Sequence, residues 1–216
     1  MSAPPATISD AYRIEQQKLH ENPRYGVASL AFAPLVSSLL RVGGCQSLSD
    51  YGAGKCNLKM ALGLKDGGAI AYYPYDPAFP EYGPPRDAEL VTCIDVLEHV
   101  EPDMLDALLD ELSGLTRKLA LLTVHTGPAK KSLSDGRNAH IIQQPPSWWL
   151  QRFAKRFEIL HVQAVPKGFF VIAGAKGSHA QLSASLDLDR LAAAASKARP
   201  RRRGLAQRIR RILPAF

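Results

Sequence analysis

Only three cysteines occur in 216 residues, Cys45, Cys56 and Cys93. Their odd number and lack of CxxC spacing exclude a disulfide framework or a zinc knot of the usual kind. Reduced thiols are expected instead, with Cys93, inside an apolar run, packing as a small hydrophobe. Long apolar runs are also missing. The best, residues 28–40, carries Pro34 and falls short of the roughly 20 residues that cross a bilayer. The opening MSAPPATISDAYRIEQQ has acids and no hydrophobic centre, so no secretory signal is expected and a cytoplasmic location is. Acids are absent from residues 197–216, which hold eight lysines and arginines. Without that tail the formal charge falls from +7 to −1, so the basic balance belongs to the tail and not to the body. A near-neutral body argues against nucleic acid as the main partner, because phosphate binding needs a basic face.

What is present is the alternation of an α/β domain. A helix is expected over 10–20 with Asp10 as its cap, and a second over 27–42 that ends at Gly43-Gly44. Strands are expected at 46–50, 69–75, 89–94 and 118–124, with helices at 57–64 and from Pro102. In the latter, Leu105, Leu108, Leu109, Leu112 and Leu115 recur at helical spacing. This order predicts a mainly parallel sheet covered by helices. A polar stretch, HTGPAKKSLSDGRNAH, follows; its length suits a lid or binding loop. Pro146 starts another helix, and 157–165 and 169–175 form a closing hairpin. Beyond Gly177 an Ala-rich helix, residues 186–198, leads into the basic tail.

Three constellations lie at strand ends. Asp50-Tyr51-Gly52-Ala53-Gly54-Lys55 joins a strand to a helix, where glycines let a ligand approach the backbone and the helix start offers N–H groups to a carboxylate; glycine turns also occur for steric reasons alone. Asp76, with Pro77 behind it, ends the next strand about 20 residues on, the position of a ribose-binding acid; an ordinary turn Asp would read the same. Ile94-Asp95-Val96-Leu97-Glu98-His99 ends an apolar strand in three polar groups. Such a cluster is costly unless it faces a cleft or is paired. Helix capping is the plainer alternative.

DYGAG, YDPA and CIDVLEHVEPDML together resemble class I S-adenosylmethionine-dependent methyltransferases, over roughly residues 25–176. The resemblance implies a Rossmann-like sheet, mostly parallel with an antiparallel terminal hairpin. It assigns 1–42 to an N-terminal helical cap, 43–176 to the methyltransferase domain and 177–216 to a helical, basic tail. It implies S-adenosylmethionine as cofactor, with Asp50, Gly52, Ala53 and Gly54 around the methionine part and Asp76 and Pro77 at the ribose. Ile94, Asp95, Val96 and Leu97 would line the adenine or sulfonium side. Tyr25 would reach the cofactor from the cap, unless it packs in the core. Two departures stand out. Cys56 replaces a frequent Gly, and 77–94 is too short for the usual third strand, which is therefore reduced or missing together with its adenine-contacting acid.

Methyl transfer to a hydroxyl needs a base or a metal. The candidate bases are His99, His125 and His140, each of which could equally be structural. Glu98, His99 and His140 could form a divalent-metal set. A similar Glu-His pair follows this strand in small-RNA 2′-O-methyltransferases and ubiquinone-pathway O-methyltransferases. The former place a further acid three residues earlier, where this chain has Asp95, but metal-independent relatives carry the pair too. The loop DGRNAH and the following PPSWW resemble the acceptor region of bacterial methyltransferases for small molecules or glycans, which implicates Arg137, Asn138 and Trp148. The expected function is O-methylation of a sugar-containing small molecule, glycan or lipid-linked intermediate. RNA methylation and a non-catalytic cofactor-fold interaction protein are the alternatives. GLAQRIRRILPAF has the composition of a helix that lies on anionic lipid; a nucleic-acid arm and a solvated tail fit the same residues.

Overall fold

Helix α1 (Asp10–His20) is capped by Ser9, whose side chain accepts from the Tyr12 N–H. Asp10 is thus the first helical residue and not the cap. The computed structural model describes residues 6–22 and 25–178, and isolated positions 182, 187, 189 and 193; apart from three of those isolated positions, the Ala-rich helix and the basic tail expected from the sequence lie outside the described residues. Helix α2 (Ser29–Val42) is followed by β1 (Ser47–Tyr51), α3 (Asn57–Leu62), β2 (Ala71–Tyr75) and β3 (Ala88–Ile94). Then come α4 (Leu105–Leu115), β4 (Thr116–His125), α5 (Pro146–Arg156), β5 (Phe157–Val165) and β6 (Gly168–Ala175). Among the described residues no helix is long and apolar enough to cross a membrane.

The six strands form one sheet in the order β2-β1-β3-β4-β6-β5. The first four are parallel, and β6 pairs antiparallel with both β4 and β5. Between β2 and β3 only a 3-10 turn, Pro80–Tyr82, intervenes, so no third strand covers β2 and it remains the sheet edge. The chain turns outward to opposite sides from β1 and β3, which puts a topological switch point between them. Ligands on open parallel sheets bind there, at the carboxyl ends.

Alternation along β4 shows how both faces are covered. Leu119 and Leu121 face one core with Leu35, Val36 and Leu39 of α2, while Ala120 and Leu122 face the other with Leu109 of α4 and Trp149 of α5. All of these are 0–1% exposed. Helix α2 is therefore a layer of the sheet domain and not part of a cap over it, because it buries seven residues. The cap is α1 alone. Its Tyr12 packs with Leu133 and Ala139 of the long loop after β4. Ser9 donates through N and Oγ to Glu101, Gln17 Nε2 donates to Ala78 O, and Glu15 accepts from Ser134 N. One helix thereby ties together the loops that follow β2, β3 and β4.

Candidate active site

Beneath α1, at the carboxyl ends of the parallel strands, lies a cavity of about 480 Å³, within the size range of small-molecule pockets. Its wall is built from Asp50–Gly54 after β1, Asp76 and Pro77 after β2, Ile94–Val96 after β3, and His125 at the end of β4. Tyr12, Gln16, His20 and Tyr25 close it from the cap side.

The glycine turn is fastened to the neighbouring strand. Gly52 and Ala53 both donate their N–H to Tyr75 O (2.7 and 2.9 Å), and Gly54 donates to Asp76 Oδ2 at 2.9 Å. Asp76 Oδ1 accepts from Ala78 N at 2.9 Å. Gly52 and Gly54 have φ of +79° and +51°, a region in which L side chains are strained. A Cβ at Gly52 would overlap Val96, and one at Gly54 would lie 2.8 Å from His20 Cε1. The glycines thus admit Val96 and His20, and the three N–H groups of the turn are taken by the Tyr75 carbonyl and the Asp76 carboxyl group. Cys56 caps α3 at φ +54°, a left-handed position that explains the frequent Gly there.

Asp50 is 3% exposed. Its oxygens accept from Tyr72 OH (2.6 Å) and Thr92 Oγ1 (3.0 Å), and burial pushes its pKa up to about 6. Asp76 is 8% exposed, and burial raises its pKa against the pull of its two N–H donors. A carboxylate offers about four acceptor sites, so Asp76 keeps capacity toward the cavity.

On the β3 and β4 side three histidine rings meet. His99 and His140 have centroids 4.8 Å apart, His125 and His140 4.6 Å. His99 Nδ1 donates to Ala139 O and His140 Nδ1 to Gly127 O, each at 2.7 Å. A carbonyl can only accept, so in its neutral form each ring carries its lone pair on Nε2. Burial lowers the His99 pKa to about 4, and burial with the adjacent His140 lowers that of His125. Asp95 sits at φ +60° and donates its N–H to Thr123 Oγ1 at 2.8 Å. Glu98 is fully buried. Its Oε1 accepts from His125 N at 2.7 Å, while Oε2 has no partner among the described residues. Burial, with Asp95 beside it, raises the Glu98 pKa well above the carboxylate range.

The structure thus gathers Tyr25, Asp50, Gly52, Ala53, Gly54, Asp76, Pro77, Ile94, Asp95, Val96, His99, His125 and His140 around one cavity. Four expected residues lie elsewhere. Leu97 is 0% exposed and points into the α4 core. Asn138 exchanges hydrogen bonds with Ala129 and accepts from His140 N, folding the loop on itself. Arg137 is exposed and pairs with Asp135. Trp148 lines a separate shallow groove with Pro102 and Ile141, its ring 3.4 Å from the Arg152 guanidinium. The metal set also differs from expectation. Asp95, Glu98 and His140 offer ligand atoms within 4.8 Å of one another, and His99 is not among them. Sequence reading missed Tyr12, Gln16, His20 and the mouth lysines Lys130, Lys131 and Lys167. For the first three the signal was a polar set, Tyr12, Gln16 and His20, at four-residue steps on α1.

No family model matches the sequence, and no curated protein does. Solved structures do. The 1,6-didemethyltoxoflavin-N1-methyltransferase of Burkholderia thailandensis, solved with 1,6-didemethyltoxoflavin and S-adenosylhomocysteine bound, is 16% identical with a TM-score of 0.55, over 81% of this chain and 93% of that one. The mitomycin 7-O-methyltransferase MmcR is 13% identical with a TM-score of 0.51, over 74% of this chain and 60% of that one. The chain has the Rossmann-like fold of these methyltransferases.

Proposed function

On this methyltransferase fold, we propose that the chain binds S-adenosylmethionine in the cavity under α1 and methylates an oxygen of a small acceptor bearing sugar hydroxyls or an anionic group. One observation carries the reading: the turn after β1 and the acid after β2 are bonded to each other, Gly54 N to Asp76 Oδ2 at 2.9 Å, on the wall of a single cavity. Asp76 has acceptor sites left for a ribose, and Asp50, Asp76 and Asp95 give the cavity wall carboxylates suited to a cationic sulfonium. The bound cofactor supplies an electrophilic methyl group. Positioning is the main service left to the protein, and α1 with Tyr12 and Tyr25 supplies the roof that excludes water.

Oxygen is favoured because a hydroxyl must lose its proton, and His99, His125 and His140 line one side of the cavity. In this reading His99, with its lone pair on Nε2, receives that proton. At the mouth, Lys130 and Lys167 are exposed and Lys131 lies 5.1 Å over the Tyr25 ring, a setting for an anionic acceptor group.

Calorimetric titration of the full chain with S-adenosylhomocysteine tests the reading. One equivalent should bind the parent. Asp76→Asn, judged folded by its circular dichroism, should weaken binding at least about tenfold, roughly the loss of one charged hydrogen bond. A folded parent chain that binds neither S-adenosylmethionine nor S-adenosylhomocysteine would overturn the proposal.

A further inference from the structure

Glu98 poses a problem that the methyl-transfer reading leaves unanswered. A carboxyl group at 0% exposure has one oxygen held by His125 N and the other, Oε2, without a partner among the described residues. A carboxyl group buried this deeply, with only another acid and an imidazole near its second oxygen, is costly to ionise unless a cation joins it. Among the described residues no lysine or arginine pairs with it. Its neighbours are another acid, Asp95, and His140.

We propose that Asp95, Glu98 and His140 hold a divalent transition-metal cation at the carboxyl end of β3. Their ligand atoms already lie within 4.8 Å of one another, close enough to share one ion at ordinary metal–ligand lengths of about 2.0–2.2 Å. Two carboxylates and a neutral imidazole balance a divalent charge, and the mixed oxygen–nitrogen set suits manganese, iron, cobalt or zinc better than calcium or magnesium. The site is braced as metal sites are. His140 Nδ1 donates to Gly127 O at 2.7 Å, which fixes the ring and leaves Nε2 as its lone-pair atom. Glu98 is oriented by the His125 N–H, and Asp95 by the bond from its own N–H to Thr123 Oγ1. Three protein ligands leave coordination positions open, and Asp95 and His140 both line the cavity. An acceptor hydroxyl reaching the cation there would lose its proton more readily. His99, 4.8 Å ring to ring from His140, stays outside the set.

The site shares the cavity of the proposed methyl transfer, and this role for the ion rests on that reading; cation binding itself does not. The full chain, freed of metal by chelator and dialysis, is titrated with Co²⁺, Mn²⁺ and Zn²⁺ separately, with metal content read by mass spectrometry and the Co²⁺ complex by its visible bands. One equivalent per chain is expected, with a rise in melting temperature. Glu98→Gln removes the charge with little change of shape and should weaken binding about 100-fold. Asp95→Asn serves as a second variant should Glu98→Gln fail to fold. Less than a tenth of an equivalent of all three metals, or equal binding by the parent and the folded variants, would overturn the proposal. A chain that binds S-adenosylhomocysteine but no cation overturns this inference alone; one that binds the cation but no nucleoside overturns the earlier reading alone.

Discussion

His20 shows how a single side chain can report on the cap. Its ring stands edge-on to Tyr25 and Phe79, with centroids 4.9 and 5.0 Å away, and its Nδ1 is buried without a partner among the described residues. Burial, with Lys55 nearby, lowers its pKa from 6.5 to about 4. Between those values the unfolded chain binds the proton and the folded chain does not, so folding stability rises with pH across that window and is complete above about 6.5. His20→Phe should flatten this part of the stability–pH curve while keeping the ring contacts. Urea unfolding at pH 4.5 and 7.5 measures it, and an unchanged difference between the two would place His20 in solvent. Gly52 makes the complementary case, since any side chain there collides with Val96 from a backbone at φ +79°.

At the scale of an element, α5 separates two adjacent tryptophans. Trp149 is 0% exposed among Phe153, Phe169 and the α4 leucines, whereas Trp148 lies in the surface groove under Arg152. Adjacent helical positions are about 100° apart, so only one can face the core. Trp149→Ala should cost about 3–5 kcal/mol through the cavity it leaves, and Trp148→Ala within about 1 kcal/mol, as surface changes do. Equilibrium urea denaturation of both variants checks the order; equal losses would mean that the groove residue carries core packing too. Trp148, which the sequence suggested for acceptor binding, lies outside the cavity under α1.

For the whole molecule, closure depends on α1. It touches the sheet domain through polar bonds to Glu101, Ala78 and Ser134 and one small apolar cluster around Tyr12, far less than the two cores that hold α2, α4 and α5. Such an element opens at low free-energy cost. S-adenosylhomocysteine beneath it should slow hydrogen exchange of the α1 amides most and those of β4 least, and at 100 times its Kd should add about 2.7 kcal/mol to stability. Equal protection of α1 and β4 would show that α1 does not close over the ligand.

Element order, the parallel sheet with its closing hairpin, the missing third strand and the register of Gly52, Gly54 and Asp76 were all legible in the residues. Each is written in local terms: apolar alternation, helical spacing, and turns marked by glycine and proline. The inward turn of Leu97 and the retreat of Asn138 into its own loop were not. Nor was the exclusion of His99 from the set that Asp95 and Glu98 form with His140, a residue from a loop some forty residues on. Those outcomes depend on contacts between segments far apart in the chain, whose distances no local pattern encodes. The sequence by itself determined where the strands would end and which polar residues would stand there; only the packing of the loop after β4 onto the end of β3 decided that Glu98 would be buried beside two other potential ligands, because contacts between distant segments form only in the folded chain.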